Sequence, residues 1–271
     1  MTFHMTSKLE KHILATYQYL RIGLAVTGII FPVLLALGGR FHGLTLEGSM
    51  SAYYHASPQS QADERVSRAK FDMEHPNPTQ GQLEEWMDKA HTHPHEGTMR
   101  DWFVGLLFVV GVMLFLYRGF TSAENNALNL AGLCAVGVAL FPTSWRASFE
   151  GRELDFLGFT FSVHGACAVL LFLCIAYVAI FRSKDTLDLL TDKKQRERYR
   201  RLYVILGWAM VASPVAAFIM VNLFEYKKAL VFAVEFFGIW VFSAYWGVKS
   251  RELARTQAER KAVKETLARE T

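Results

Sequence analysis

The sequence predicts an all-α polytopic membrane protein: six transmembrane helices in a single membrane domain over 1–271, with an outer helical hairpin inserted over 56–98. Three observations predict it. Hydrophobic residues make up 52% of the 271 and aromatic residues 14%, too apolar for an ordinary soluble domain. These residues are bunched into Ile22–Gly39, Trp102–Tyr117, Ala127–Pro142, Phe156–Phe181, Leu202–Phe224 and Ala229–Val248, runs that fit the roughly 20 residues needed to cross a hydrocarbon core of about 30 Å. None of the six contains Lys or Arg.

The first run is read as a retained helix rather than a signal peptide, because its apolar core is long and no A-x-A site follows it. Pro32, Gly38 and Gly39 predict a kink or an early stop near its outer end. The loop from Arg40 to Arg100 exceeds a connector's length and carries two helical patterns. One is a stripe of Ala62, Val66, Ala69 and Met73; the other is Leu83, Trp86, Met87 and Ala90. Thr79 and Gln82 are spaced as a capping box before the second. His91, His93 and His95 alternate around a proline and are read as a solvated segment rather than a metal motif.

Gly105, one turn below Asp101, predicts a close helix contact in the second run. Asn129, Gly132, Val136, Ala139 and Thr143 mark another such face in the third. Cys134, Cys167 and Cys174 all fall inside runs and are read as packing residues. The basic 182–201 connector is read as a topological anchor. The 249–271 tail, with Lys261, Glu265 and Arg269 at helical spacing, is read as a solvated cytoplasmic helix.

Charge sets the orientation. Eight Lys/Arg lie between Arg182 and Arg201 and seven follow Val248, against six from Arg40 to Arg100. The positive-inside rule then puts both termini in the cytoplasm of a cytoplasmic (inner) membrane. The net charge of +4 reflects this asymmetry, and no nucleic-acid partner is implied. Membrane lipids are the expected partners.

Chemistry-bearing residues gather at the outer end. Gly48-Ser49-Met50-Ser51-Ala52-Tyr53-Tyr54-His55 sits just outside the first run, and Asp101 opens the second. His164 and Glu235 each lie about six residues from the outer end of their runs, roughly 9 Å below the interface at 1.5 Å per residue. Ionisable groups at such depth are costly and mark function or helix packing. Asn222 lies near the same end of its run. Two chemistries suit Ser51, His55, Asp101, His164 and Glu235. His55, Asp101, His164 and Glu235 could hold a divalent ion such as zinc that acidifies a water. Alternatively, a carboxylate could orient His164 as general base toward a hydroxyl such as Ser51.

Ser49–His55, Met99-Arg100-Asp101-Trp102-Phe103-Val104-Gly105, Asn129-Leu130-Ala131-Gly132 and Val136–Pro142 resemble a family of bacterial multi-pass membrane proteins. There the first two motifs are nearly contiguous, which implies that the intervening forty or so residues are an insertion. This likeness implies architecture rather than activity. A remoter likeness is to the alkaline ceramidase and adiponectin receptor superfamily, hydrolases with an intramembrane zinc. Ser51 and His55 match its first element and Asp101 could match its second. Its H-x3-H pair has no counterpart, since helix six offers Glu235, and its helices number seven. The expectation is a membrane-embedded, metal-dependent lipid hydrolase or transferase. The alternative is a non-catalytic lipid-sensing or partner-binding protein.

Overall fold

The computed structural model describes residues 2–79, 81–82, 85–86, 97–143, 152–156, 159–223 and 228–256. Helix α1 spans Thr2–Phe41, α2 Pro58–Glu74, α3 Arg100–Leu116 and α4 Ser122–Leu140. A two-stranded antiparallel hairpin follows, β1 Glu153–Phe156 and β2 Phe159–Ser162, pairing Leu154 with Phe161 and Phe156 with Phe159. Helix α5 (Val163–Tyr177) runs through a π turn over Val178–Arg182 to the short α6 (Lys184–Leu187). Helices α7 (Lys193–Leu223) and α8 (Lys228–Thr256) complete the chain.

Six of these helices close a ring in chain order. Helix α1 packs on α3, α3 on α4, α4 on α5, α5 on α7, α7 on α8, and α8 back on α1. Every one of the six turns large apolar side chains outward, among them Ile29, Val112, Leu133, Leu170, Ile205 and Phe237. A helix apolar on both its inner and outer faces suits a hydrocarbon surround. Three stretches among the described residues are long and apolar enough to cross a membrane: Lys11–Phe41, Val163–Leu187 and Leu230–Thr256.

Six spans were expected, so the count is corrected to three by length and composition. Helix α3 has 17 residues, short of the roughly 20 a span needs. Helix α4 has 19 residues but opens on Glu124, Asn125 and Asn126, with Asn129 a turn later. The apolar half of α7, with Asn222, lies partly outside the described side chains.

Small residues set the helix contacts. A Cβ on Gly111 of α3 would lie 2.8 Å from the Gly132 carbonyl of α4, and one on Gly132 would lie 2.6 Å from the Gly111 carbonyl. Neither backbone can yield, so this crossing admits only glycine. The Gly132–Val136 face thus packs as expected, but its partner is Gly111. Gly105 faces open space, one and a half turns off the contact. The three cysteines are free thiols, and a Cβ on Gly137 would lie 2.7 Å from Cys167 Sγ.

Helix α1 does not stop early; it runs through Pro32 to Phe41 and turns at Gly43, whose φ is +85°. Gly38 and Gly39 instead form the seat for the next segment. A Cβ on Gly38 would meet Met99 at 2.7 Å, and one on Gly39 would meet the Tyr53 ring at 2.8 Å.

The fourth run also starts differently. Phe159–Ser162 alternates aromatic residues with Thr160 and Ser162, and a short run of that kind is open to strand as well as helix. It forms β2 of the hairpin, and Ser162 then caps α5 by accepting from Gly165 N–H at 3.0 Å.

The expected stripe on α2 is not its buried face, since Val66 and Met73 are exposed and Phe71 is buried. The helix starts on a Ser57/Ser60 capping box with Pro58 at its first position, and Trp86 returns to donate to Ser67 at 3.0 Å. The Thr79/Gln82 box forms as expected. Leu83, Met87, Ala90, the three loop histidines and Lys261, Glu265 and Arg269 lie outside the described residues.

Candidate functional site

The Gly48–His55 stretch folds into one 3-10 turn, Ser51–Tyr54, at the end of the ring where α4 finishes. Buried Tyr53 anchors it on Gly39, and Ala52 N–H donates to Ser49 Oγ at 3.2 Å. From α8, the half-buried Glu235 carboxylate accepts Met50 N–H at 2.6 Å. The turn therefore sits on a carboxylate two turns inside α8 rather than floating at the surface.

The two ends of the 56–98 segment meet behind the turn. Thr98 N–H donates to the Ala56 carbonyl at 2.9 Å. Gly97 packs so tightly that a Cβ there would lie 2.0 Å from the Tyr54 carbonyl oxygen. Gln61 of α2 is tied to Thr45 and Glu47, holding the front of the loop.

Ser51 Oγ lies 2.7 Å from His164 Nε2. The other ring nitrogen, Nδ1, lies 3.0 Å from the Phe141 carbonyl. A carbonyl only accepts, so Nδ1 carries the proton and Nε2 presents its lone pair to the Ser51 hydroxyl. His55 Nε2 donates in the same way to the Thr143 carbonyl at 3.1 Å. Both acceptors come from the end of α4. Pro142 has no N–H and its ring disfavours a helical Phe141, so the helix ends at Leu140. The carbonyls released there serve two histidines. The negative end of the α4 dipole also favours positive charge developing on His164.

His164 is buried and Ser51 half-buried, so the imidazole is shielded while the hydroxyl stays reachable. His164 stands in the first turn of α5, because that helix begins at Val163 and not at Phe156. Its depth is therefore set by the β hairpin and α4 and not by a helix rising six residues above it.

Of the expected set, Ser51, His55, His164 and Glu235 all face this end, with Ser51 and His164 in direct contact. Asp101 does not join them. It is exposed in the first turn of α3, with no hydrogen bond or ion pair to the set among the described residues, and there it complements the positive end of the helix dipole. Among the described residues no group of three or more His, Cys, Asp or Glu side chains is gathered as a metal ion would require. The role expected of a carboxylate beside His164 falls to the Phe141 carbonyl. Pro142 directly after an apolar helix was the sequence signal for it.

Burial lowers the pKa of His55 from 6.5; the Thr143 carbonyl opposes this, and the charges of Arg100 and His164 reinforce it. A histidine with a lowered folded-state pKa contributes stability that is full above its unfolded value and lost as pH falls through it. Melting temperature is therefore expected to fall between pH 7 and pH 5, and to fall less in His55→Gln, which retains a donor for Thr143. Equal slopes in scanning fluorimetry would show that His55 does not set this dependence.

A second polar cluster, at the opposite end of the ring, was missed. Lys249 Nζ donates to Thr186 Oγ1 at 2.9 Å and lies 3.5 Å from Glu252 Oε2. That carboxylate oxygen also accepts from Tyr203 OH and Thr186 Oγ1, each at 3.2 Å. All four residues are at most 1% exposed. The start of the tail expected to be solvated is therefore core, with Lys249, Glu252, Leu253 and Thr256 buried, and so is the start of the basic connector, where Thr186, Leu187 and Leu190 are buried. The signal was Trp246, Lys249, Leu253 and Thr256 on one helical stripe.

The chain matches no protein-family model, no curated protein and no solved structure.

Proposed function

We propose that the protein is an integral membrane hydrolase or acyltransferase acting on a lipid, with Ser51 as nucleophile and His164 as its general base. The observation that carries this reading is the 2.7 Å contact between Ser51 Oγ and His164 Nε2, with the tautomer fixed by Phe141. In the first half-reaction Ser51 Oγ bonds to an acyl carbonyl carbon while its proton passes to Nε2. The lipid's C–O bond then breaks, and the departing oxygen takes that proton from Nε2. Water or a second alcohol, deprotonated by the same nitrogen, bonds to the acyl carbon, and the bond to Ser51 Oγ breaks as that oxygen takes the proton back from Nε2. Glu235 positions the nucleophile by holding the Met50 end of the turn. Each proton transfer is supplied by a named side chain, and no step is routed through zinc.

The setting supports a lipid substrate. All six ring helices carry outward apolar side chains, and three of them are long and apolar enough to cross a bilayer. The Lys/Arg asymmetry supports a reading with both termini in the cytoplasm and the site in the opposite leaflet of a bacterial inner membrane. The segment between Ala56 and Thr98 is then an insertion over the outer face, its ends already in contact.

The test is covalent labelling of purified protein in detergent with a fluorophosphonate probe. Labelling of wild type at Ser51, mapped by peptide mass spectrometry and lost in Ser51→Ala, is the expected result. Monodisperse protein that takes no label would overturn the reading. It would favour the non-catalytic lipid-binding alternative, to which the hydrogen-bonded state of Glu235 and His55 is also suited.

A further inference from the structure

Two arginines flank the Ser51–His164 pair, and each is mounted on an aromatic ring belonging to the site. The Arg100 guanidinium carbon lies 4.8 Å from the centre of the Tyr54 ring, next to His55. The Arg152 guanidinium carbon lies 5.7 Å from the centre of the Phe141 ring, whose own carbonyl holds His164. Both arginines are exposed, and neither is ion-paired among the described residues.

This mounting has a chemical consequence. A guanidinium held by a ring face keeps its N–H donors unspent, aligned in a planar fork that matches two oxygens of a phosphate. Arg100 opens α3, and the Arg152 carbonyl accepts from Val163 N–H at 2.8 Å just before β1, so the backbone of each is held. Each ring ties its cation to one of the two backbone segments that form the reaction site. A headgroup bound there would lie beside Ser51, with its acyl chains free to follow the apolar ring surface.

We infer that Arg100 and Arg152 bind the phosphate of a lipid headgroup, which makes the substrate class a phosphate-bearing acyl lipid. This rests on the hydrolase reading for the word substrate, but the binding site stands on the arginines alone. The shared chemistry is a phosphate oxyanion, and the membrane setting selects the lipid over the free ion.

Binding is measured by fluorescence titration of the Ser51→Ala protein in detergent, so that turnover plays no part. The probes are dioctanoyl phosphatidic acid, dioctanoylglycerol and inorganic phosphate. The phosphorylated lipid is expected to bind at least about tenfold more tightly than dioctanoylglycerol. That preference is expected to vanish in Arg100→Gln/Arg152→Gln, both surface changes, with gel-filtration volume unchanged. Equal binding of the two lipids, or a preference that survives the double substitution, would overturn the inference. Displacement of the lipid by equimolar inorganic phosphate would reassign the site to the free ion and overturn the lipid assignment. An arginine-dependent preference in a protein whose Ser51 takes no label would sink the hydrolase reading and leave the phosphate site standing.

Discussion

Lys249→Met lowers stability by about 3–5 kcal/mol, the cost of removing one member of a buried ion pair and leaving the other uncompensated. Glu252 has no exposed surface, so once Lys249 is gone its charge has only the Tyr203 and Thr186 hydroxyls to meet it. The double variant Lys249→Met/Glu252→Gln recovers most of the loss, because a neutral amide oxygen can still accept those two hydroxyls. The measurement is thermal unfolding in detergent beside gel filtration. A single variant as stable as wild type would show that the pair does not hold this end of the ring together. The cluster joins α6, α7 and α8, so its loss is expected to loosen the end remote from Ser51 first. Local unfolding there is read by proteolysis near Arg182–Leu190.

Under the proposed mechanism, His164→Ala is expected to slow acylation of Ser51 by about 10²–10⁴-fold, the usual contribution of a positioned general base. Ser51 retains its place in the 3-10 turn, which is held by Met50 N–H on Glu235 and by the Tyr53 ring on Gly39. The residual rate is therefore expected to lose its dependence on the His164 ionisation while thermal stability changes modestly. Single-turnover labelling across pH separates these outcomes. A rate within twofold of wild type would remove His164 from the reaction and leave it as a packing residue.

The membrane character and the location of the polar set were legible in the sequence because both depend on composition along the chain. Apolar runs free of Lys and Arg mark helices that surround themselves with apolar atoms, and the ring has apolar side chains on its outside as well as its inside. His164 and Glu235 were placed at one end by counting positions from the ends of their runs, and Ser51 and His55 by lying just outside the first run, although the residues above His164 form the β hairpin and not a helix. That arithmetic uses only the rise of a helix.

Partners were decided by the tertiary structure. Asp101 sits among the outer residues by depth but points to the exterior of α3, since which face a helix turns inward is fixed by packing and not by distance along its axis. The true close approach follows from that same rotation, at Gly111 and Gly132 instead of Gly105. The His164 partner is a backbone carbonyl, and every residue has one. Only the end of α4 at Pro142, brought against α5 by the ring, makes the Phe141 carbonyl the one that counts. Lys249 and Glu252 read as the start of a solvated tail because charge normally seeks water. They are buried because Tyr203 and Thr186, far away in the chain, supply the hydrogen bonds that water would have given.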